Sequence, residues 1–259
     1  MLSIDQILLQ YPEHLRIHKE NILKEYLQYK ILNIIYNSKY ASKLNFLGGT
    51  ALRIIYGNTR FSEDLDFDNL GLDKIQWTAL SNIIKTDLEL EGLIVEIKLK
   101  TQSAFRINVR IPELLFDSGL SSMREQKILI QVDTTPQNFS YIPENPFLNK
   151  FEVFTRIFCV SKNLLLSQKI YAAFNRRRIM GRDFFDIVSL YGIGAEPNYP
   201  YLIQNLQIMN IIELKEYILE KISTLDFKQL EQDVKPFLIN PNEIQKVRFF
   251  KDYMKVHLK

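Results

Sequence analysis

The sequence predicts an α+β fold: a mixed β-sheet domain with flanking helices, followed by an all-helical C-terminal domain. Two observations support this class. Strand-like and helical patterns are mixed up to about residue 155, and only helical patterns follow. We therefore expect domains at residues 1–155 and 156–259, with an active-site cleft between them. Of the 259 residues, 46% are hydrophobic and 24% charged, so the chain can bury a substantial core.

The elements of the first domain follow from the spacing of its apolar residues. These recur at helical spacing over residues 12–36, which predicts one long amphipathic helix. A short apolar run over 44–47 ends in two glycines and predicts a strand followed by a turn. The remaining predicted elements are a helix over 50–56, a strand over 64–68, a helix over 77–91, and strands over 93–100, 105–111 and 127–132.

The second domain follows a turn-rich stretch over residues 134–146. Helical periodicity then continues to the end of the chain without strand-like alternation. Gly181 is expected to end the first helix. The predicted helices cover residues 164–178, 183–191, 211–223, 226–238 and 243–256.

Composition narrows the function classes. The net charge of +3 is too mild to indicate a nucleic-acid binder by itself. Cys159 is the only cysteine, so an intrachain disulfide and a thiolate metal site are both excluded, and three histidines leave little material for a zinc site. The first residues lack a signal-peptide pattern, and 18 apolar residues never follow one another. We therefore expect a cytoplasmic protein that does not bind a membrane.

An acidic strand is the clearest candidate for a metal site. Alternation along the strand places Asp64, Asp66 and Asp68 on one face, while Leu65 and Phe67 face the core. Neighbouring carboxylates repel one another unless a cation lies between them, and hard oxygen ligands of this kind suit Mg²⁺ or Mn²⁺. The alternative is an exposed edge strand whose acids serve solubility.

Two further segments fit the same site. Gly48-Gly49-Thr50 lies between a predicted strand and a helix, where glycines let the backbone approach a phosphate and the threonine adds a hydroxyl. Asp133 follows the strand over 127–132, at whose tip it would supply a third carboxylate to the metals. The alternatives are a tight turn at the glycines and a turn-opening aspartate.

A basic segment opens the second domain. Residues 153–182 contain no acid, and Lys169 and Arg176 fall on one helical face with two small alanines between them. Such a face suits a triphosphate or a nucleic-acid backbone, although a solvated basic face is the alternative. Asp183 and Asp186 lie one turn apart on the next helix. The seven bases of the segment are Arg156, Lys162, Lys169, Arg176, Arg177, Arg178 and Arg182.

Together these motifs resemble the motif series of the AbiEii/AbiGii toxin family. The resemblance covers residues 48–190 and is carried by Gly48-Gly49-Thr50, by Arg60-Phe61-Ser62-Glu63-Asp64-Leu65-Asp66-Phe67, by Lys169 through Arg176, and by Arg182-Asp183-Phe184-Phe185-Asp186. It implies a nucleotidyltransferase fold distantly similar to that of DNA polymerase β. It also implies a role in toxin–antitoxin or abortive-infection systems, nucleotide transfer from NTPs to tRNA ends, and a co-encoded antitoxin.

The resemblance and the residue patterns together assign roles. Asp64, Asp66 and Asp133 would bind metal, with Asp133 as the general base. The expected catalytic residues are Asp64, Asp66, Asp133, Lys169 and Asp186. The expected nucleotide-binding residues are Gly48, Gly49, Thr50, Lys169, Arg176, Arg182 and Asp183, and the expected RNA-binding residues are Arg177 and Arg178.

The predicted function is magnesium-dependent transfer of NMP from an NTP to RNA, at the 3′ end of tRNA. The basic segment, with five more bases from residue 246 onwards, offers more cations than one triphosphate needs. Two alternatives stay open at this point. One is transfer of NMP to a protein side chain, and the other is a regulatory module that binds Mg-NTP without turnover.

Overall fold

The computed structural model describes residues 1–102, 104–136 and 138–258. The chain divides into two compact units. The first comprises Met1–Ile55 and Phe61–Val160, and the second comprises Tyr56–Arg60 and Ser161–Lys259. The α+β class predicted from the sequence is confirmed.

A five-stranded mixed sheet forms the centre of the first unit, in the order β1-β2-β5-β4-β3. The pair β2–β5 is parallel and the other pairs are antiparallel. All five strands were predicted, and only β5 extends well past its expected end. Their bounds are Leu44–Leu47 (β1), Leu65–Asn69 (β2), Glu96–Lys100 (β3), Phe105–Ile111 (β4) and Ile128–Pro136 (β5).

Helices cover one face of this sheet. The side chains of Ile107, Val109 and Ile130 on that face are fully buried, and α4 packs against β3 and β4 with Trp77 and Leu80. The opposite face carries the polar side chains of the same strands. The helices of this unit are Ile4–Leu9 (α1), Lys19–Asn37 (α2), Gly48–Ile54 (α3), Lys74–Leu90 (α4) and Leu114–Asp117 (α5).

Two N-terminal expectations were wrong. The segment expected as a single helix over 12–36 begins with a 3₁₀ turn at Glu13–Leu15, and α2 starts only at Lys19. The short helix α1 was not predicted. Its start is fixed by a capping box, in which Ser3 and Gln6 exchange side-chain and backbone hydrogen bonds.

A buried ion cluster fixes α3 against α2. Glu25 of α2 accepts hydrogen bonds from Arg53 Nε at 2.8 Å, from Lys150 Nζ at 3.0 Å and from the Tyr11 hydroxyl at 2.7 Å. Lys150 belongs to a hairpin formed by Phe147–Lys150 (β6) and Val153–Arg156 (β7), which was not predicted. These contacts hold α3, the helix that begins at Gly48, against α2.

The second unit is helical. Side-chain caps at Ser161, Asn198, Asn210 and Asp226 set the starts of four of its helices. Its helices are Lys162–Asn175 (α6), Gly181–Gly192 (α7), Tyr199–Leu206 (α8), Ile211–Ile222 (α9), Phe227–Val234 (α10), Gln245–Arg248 (α11) and Phe250–His257 (α12). No helix among the described residues is both long and apolar enough to cross a membrane.

Three expectations for this unit were wrong. The helix expected over 164–178 ends at Asn175, so Arg177 and Arg178 follow it as non-helical residues. Helix α8 was not predicted, and the helix expected over 243–256 is broken into a 3₁₀ turn, α11 and α12.

Gly181 begins α7 instead of ending the preceding helix. A Cβ atom at this position would lie 1.9 Å from the backbone oxygen of Leu230. Glycine is therefore required here because α7 and α10 approach closely, and not because the backbone reverses.

Candidate active site

The sheet places the predicted metal ligands on one face. Asp66 on β2 is the register partner of Asp133 on β5, and side chains of directly paired residues point to the same side. Asp64 immediately precedes β2, and its Oδ1 accepts a hydrogen bond from Gln131 Nε2 at 3.2 Å. The predicted triad is thereby assembled from two neighbouring strands.

Burial raises the pKa of Asp64. The Gln131 hydrogen bond opposes this shift, while the carboxylates of Glu63 and Asp133 add to it. Burial is the largest cause of the shift, and the like charges of the neighbouring carboxylates are smaller ones. The hydrogen-bond partner of Asp64 is an amide and not a cation.

Asp133 lies inside β5 and not at its tip, because the strand continues through Pro136. Its two oxygens accept hydrogen bonds from Arg106 Nε and Nη2 on β4, each at 2.6 Å. This bidentate pair raises the pKa of Arg106, and the charges of Asp64 and Asp66 contribute to the shift. Arg106 was not predicted as a site residue.

The glycine motif contacts the acidic strand directly. Gly48 has φ +80°, and a Cβ atom on it would lie 2.3 Å from Asp66 Oδ2. Thr50 is buried, and its hydroxyl donates to the backbone oxygen of Asp64. The start of α3 and the beginning of β2 therefore form one packed element. In this arrangement the Thr50 hydroxyl positions the Asp64 backbone.

A cavity of about 290 Å³ adjoins Asp64. Its walls are formed by α2, α5, β5 and the residues just before β2 and β5. They carry charged and amide side chains, including Lys24, Glu63, Lys127 and Gln131. The cavity gives Asp64 a polar, accessible neighbourhood.

The donor set suits a divalent cation in part. Asp64 and Asp66 supply hard carboxylate oxygens on one face. Both oxygens of Asp133 accept hydrogen bonds from Arg106, so Asp133 has only its remaining lone pairs to offer a cation. Within residues 1–102, 104–136 and 138–258, no three His, Cys, Asp or Glu side chains form a complete metal cluster. The arrangement therefore fits a cation held first by Asp64 and Asp66.

A second charged cluster lies inside the helical unit. Lys169 Nζ on α6 lies 2.8 Å from Asp183 Oδ1 and 2.7 Å from Asp186 Oδ2, both on α7. Asp186 also accepts from Arg60 Nε and Nη2, each at 2.7 Å, and from Asn58 Nδ2 at 2.8 Å. All five side chains are buried. The cluster joins the segment Tyr56–Arg60 to α6 and α7.

The charges in this cluster compensate one another. Burial alone would raise the pKa of Asp186, but Arg60 and Lys169 lower it to about 2. Arg176 adds a contact at 3.2 Å to Asp183 Oδ2 and keeps 52% of its side chain exposed. Lys169, which was expected to contact phosphate from an open helix face, lies in a buried ion cluster.

The remaining predicted cations lie at the surface of the helical unit. Arg177 and Arg178 are exposed, and Arg178 donates to Asp233 at 3.1 Å. The Arg182 guanidinium lies over the Phe237 ring at 4.5 Å. Toward the C-terminus Lys246 and Arg248 pair with acids, and Lys259 lies outside the described residues.

Sequence reasoning missed four residues of these two clusters: Arg106, Gln131, Asn58 and Arg60 as a partner of Asp186. Arg60 belongs to the motif that ends at Phe67, yet its partner is 126 residues away. Arg106 alternates with apolar residues along β4, and that pattern indicated only which face it would occupy.

Comparisons with known proteins concern the family and the fold. The family model described as "Nucleotidyl transferase AbiEii toxin, Type IV TA system" matches residues 30–248. A candidate nucleotidyltransferase from H. pylori is similar in structure, with a TM-score of 0.56, 20% identity, and coverage of 92% of this chain and 96% of the other. JHP933 from Helicobacter pylori gives a TM-score of 0.53, 17% identity, and coverage of 92% and 93%.

No curated protein matches the sequence at a significant level. The two structural similarities show the fold, and the family model, which spans most of the chain, shows the family. The chain therefore belongs to the AbiEii family of nucleotidyltransferase toxins, which is assigned to type IV toxin–antitoxin systems.

Proposed function

We propose that this nucleotidyltransferase uses Mg²⁺ to transfer NMP from an NTP to the 3′ end of an RNA, and that the RNA is a tRNA. One observation carries the proposal: Asp66 and Asp133 are paired on neighbouring strands, with Asp64 beside them and Gly48 against Asp66. Carboxylates grouped in this way on one sheet face suit phosphoryl chemistry.

Asp64 and Asp66 would hold the metal, and Mn²⁺ has the ligand preferences to replace Mg²⁺. When bound, the metal polarises the α-phosphate and neutralises the leaving pyrophosphate. The acceptor hydroxyl oxygen forms a bond to the α-phosphorus while the bond to pyrophosphate breaks. Asp133, released from Arg106, takes the hydroxyl proton as general base.

The nucleotide contacts remain predictions that rest on the motifs. Gly48, Gly49 and Thr50 are assigned to the triphosphate, and the exposed fraction of Arg176 is consistent with a phosphate contact. Lys169 would act with its charge already oriented by Asp183 and Asp186. The nucleotide-binding residues predicted from the helical unit are Lys169, Arg176, Arg182 and Asp183.

RNA as the acceptor is supported by the likeness of the motifs to the family series and by exposed cations. Arg177 and Arg178 project from the helical unit, and 74% of the Arg178 side chain is exposed. Membership of a type IV toxin–antitoxin family also implies an antitoxin partner.

Incubation with each labelled NTP, Mg²⁺, total cellular RNA and total protein, resolved on one gel, tests the proposal. We expect label from one or a few NTPs on RNA of tRNA size. The Asp66→Asn variant should give no label, and unlabelled tRNA should compete. Label on protein alone would contradict the RNA acceptor and indicate transfer to a side chain. If NTP binds but no label is transferred under any condition, the chain is a regulatory module.

A further inference from the structure

Strands β3 and β4 extend the sheet away from the carboxylates and carry cations on the same face. In the register, Asp133 of β5 lies beside Arg106 of β4, which in turn lies beside Lys100 of β3. The register partners therefore form a row across the sheet, which runs from Asp66 through Asp133 and Arg106 to Lys100. One sheet face changes from acidic to basic across four adjacent strands.

Two neighbouring rows carry one cation each, and they do not repeat the change from acidic to basic. Gln131 lies beside Asn108 and then Lys98, and in the other row Arg110 lies between Leu129 and Glu96. Alternation assigns these side chains to the face opposite the helices, here called the open face, because the intervening residues of β4 are fully buried on the helix-covered face. Asn108, in the middle of this face, is itself buried. Lys98 and Lys100 are exposed, and Arg110 is half-buried.

Acids neutralise only part of this face. Arg106 is paired with Asp133, and Glu96 accepts hydrogen bonds from Lys127 at 2.6 and 2.8 Å. The side chains of Lys98, Lys100 and Arg110 have no hydrogen-bond or ion-pair partner in the described part of the chain, although Glu96 is the register partner of Arg110. Lys100 lies directly across from Arg106, and Asp133 compensates only Arg106 of these two. Because like charges placed directly opposite one another destabilise a sheet, an anion over Lys100 would be stabilising.

We infer that the open face of β3 and β4 binds the sugar–phosphate backbone of the RNA acceptor and leads its end toward Asp133. The inference rests on the proposed function, since it names where that acceptor lies. Neighbouring strands are about 4.8 Å apart, and alternate residues along a strand are about 6.7 Å apart. The charges of Lys98, Lys100 and Arg110 are therefore spread over the face as a grid and are not concentrated at one position. A grid of cations suits a chain of phosphates.

The position of the grid favours the acceptor over the NTP. A triphosphate must reach the carboxylates themselves, whereas Lys98 and Lys100 lie two strands beyond Asp133. A polyanion that starts at Asp133 and crosses Arg106 would pass over both lysines. Charge complementarity and this continuity with the acidic row identify RNA as the occupant.

The test compares two triple variants of the full chain with the same loss of charge. The first carries Lys98→Gln, Lys100→Gln and Arg110→Gln. The control carries Lys39→Gln, Lys74→Gln and Lys85→Gln, three lysines of the same unit that lie outside this face. Affinity for an unmodified tRNA is measured over a range of salt concentrations, together with affinity for Mg-NTP and thermal unfolding.

We expect the sheet variant to lose tRNA affinity roughly 10- to 100-fold, with a log–log salt slope smaller by about 2, since each contact to a single strand contributes about 0.7. The control variant should keep the wild-type slope, and Mg-NTP affinity should not change in either. Equal tRNA binding by the two variants would overturn the inference, as would a selective loss of NTP affinity in the sheet variant. The single Lys100→Gln variant repeats the test if the triple variant unfolds.

The experiment distinguishes a failure of this inference from a failure of the proposed function. If the wild type labels RNA while the sheet variant behaves as the control does, the acceptor is RNA but lies elsewhere. If the wild type labels only protein and tRNA binding does not depend on salt, the proposed function fails and the inference with it.

Discussion

Asp64 of the sheet unit and Asp186 of the helical unit are in opposite electrostatic states. In the sheet unit, burial and neighbouring carboxylates raise the pKa of Asp64, whose hydrogen-bond partner is the amide of Gln131. In the helical unit, Asp186 is fully buried, yet Arg60 and Lys169 hold its pKa near 2. We propose that the carboxylates of Asp64 and Asp66 bind a cation from solution, whereas Arg60 and Lys169 supply the cations of the buried cluster in the helical unit.

This difference shows that a buried aspartate is informative only together with its partners. An uncompensated carboxylate stores repulsion that a ligand can relieve, and it marks a site of chemistry. A compensated carboxylate fixes the position of the groups around it, and its loss leaves buried charge without a partner. Neutralising the two kinds should therefore have opposite effects on stability and on activity.

The largest effect is expected on transfer. Asp64→Asn and Asp66→Asn should each lower the rate by about 10²-fold or more, because a metal-binding charge contributes several kcal/mol to the transition state. The stability of the metal-free protein should stay equal or rise, since repulsion is relieved. Single-turnover transfer and thermal unfolding measure the two quantities. The exposed Asp87→Asn variant is the control, and near-wild-type transfer at saturating Mg²⁺ in either variant would show that the strand is not the metal site.

Lys169 tests whether the second cluster also takes part in the reaction. Lys169→Ala should slow transfer or weaken NTP binding by a factor on the order of 10²–10³, as for a lost charged transition-state contact. Because Lys169 is buried beside Asp183 and Asp186, the rate must be normalised to folded protein. Lys162→Ala on the same helix is the control. Full activity per folded molecule would make the cluster purely structural.

Asp186→Asn should act mainly on stability. The substitution leaves Arg60 and Lys169 buried with less negative charge, and breaking a buried pair in this way costs about 3–5 kcal/mol. Asp233→Asn, which removes a pair with the exposed Arg178, should cost less than about 1 kcal/mol. Urea unfolding of both variants measures the difference. A similar loss of unfolding free energy in the two variants would show that the buried ion pair contributes no more than the exposed one.

The lowered pKa of the Asp186 carboxyl group also predicts that the stability of the fold depends on pH. Its folded pKa of about 2 lies below the usual 3.8, so Asp186 stabilises the fold above pH 3.8, and this contribution disappears as the pH falls toward 2. A shift of this size corresponds to about 2 kcal/mol. Unfolding free energies measured between pH 5 and pH 2 should therefore fall more steeply in the wild type than in Asp186→Asn. Parallel curves would contradict this assignment.

The smallest effect is expected at the surface of the helical unit. Replacing Arg177 and Arg178 with Gln should lower the salt dependence of RNA binding by about 0.7 of a unit of log slope per lost phosphate contact. Because Arg178 already donates to Asp233, the change should be smaller than that of the β3–β4 variant. Affinity for free NTP should hardly change. Salt-independent RNA binding by the wild type would exclude an electrostatic contact here.

Local patterns predicted the elements whose signal lies within a few residues. The strand at Phe105–Ile111 was predicted at its observed bounds because apolar residues alternate there without interruption. The β6–β7 hairpin was missed because its strands have four residues each and follow a turn-rich stretch. Asp133 was placed at a strand tip because the apolar alternation stops at Val132, whereas pairing with β2 and β4 extends the strand.

Contacts between segments that are far apart in the chain could not be predicted from the sequence. Strand register decides that Arg106 faces Asp133, and no pattern within either strand encodes it. Likewise, the basic stretch around Lys169 was predicted as an open face, but acids 14 and 17 positions later fold back onto it. The cations of β3 and β4 lie close together in the chain, but only the register of the two strands shows that Lys100 lies beside Arg106.

Gly48 has a practical consequence for work with a toxin. A Cβ atom at this position would overlap Asp66 Oδ2, at 2.3 Å, on a backbone whose φ of +80° already disfavours other residues. A methyl group there would disturb the reactive carboxylate through volume alone and leave every ionisable group in place. Toxins are difficult to produce in cells that they poison, and the usual charge-neutralising variants change the electrostatic surface offered to partners. A protein inactivated at Gly48 would keep that surface, so that the proposed antitoxin and RNA partners could be tested for binding to an inactive form with the native charge.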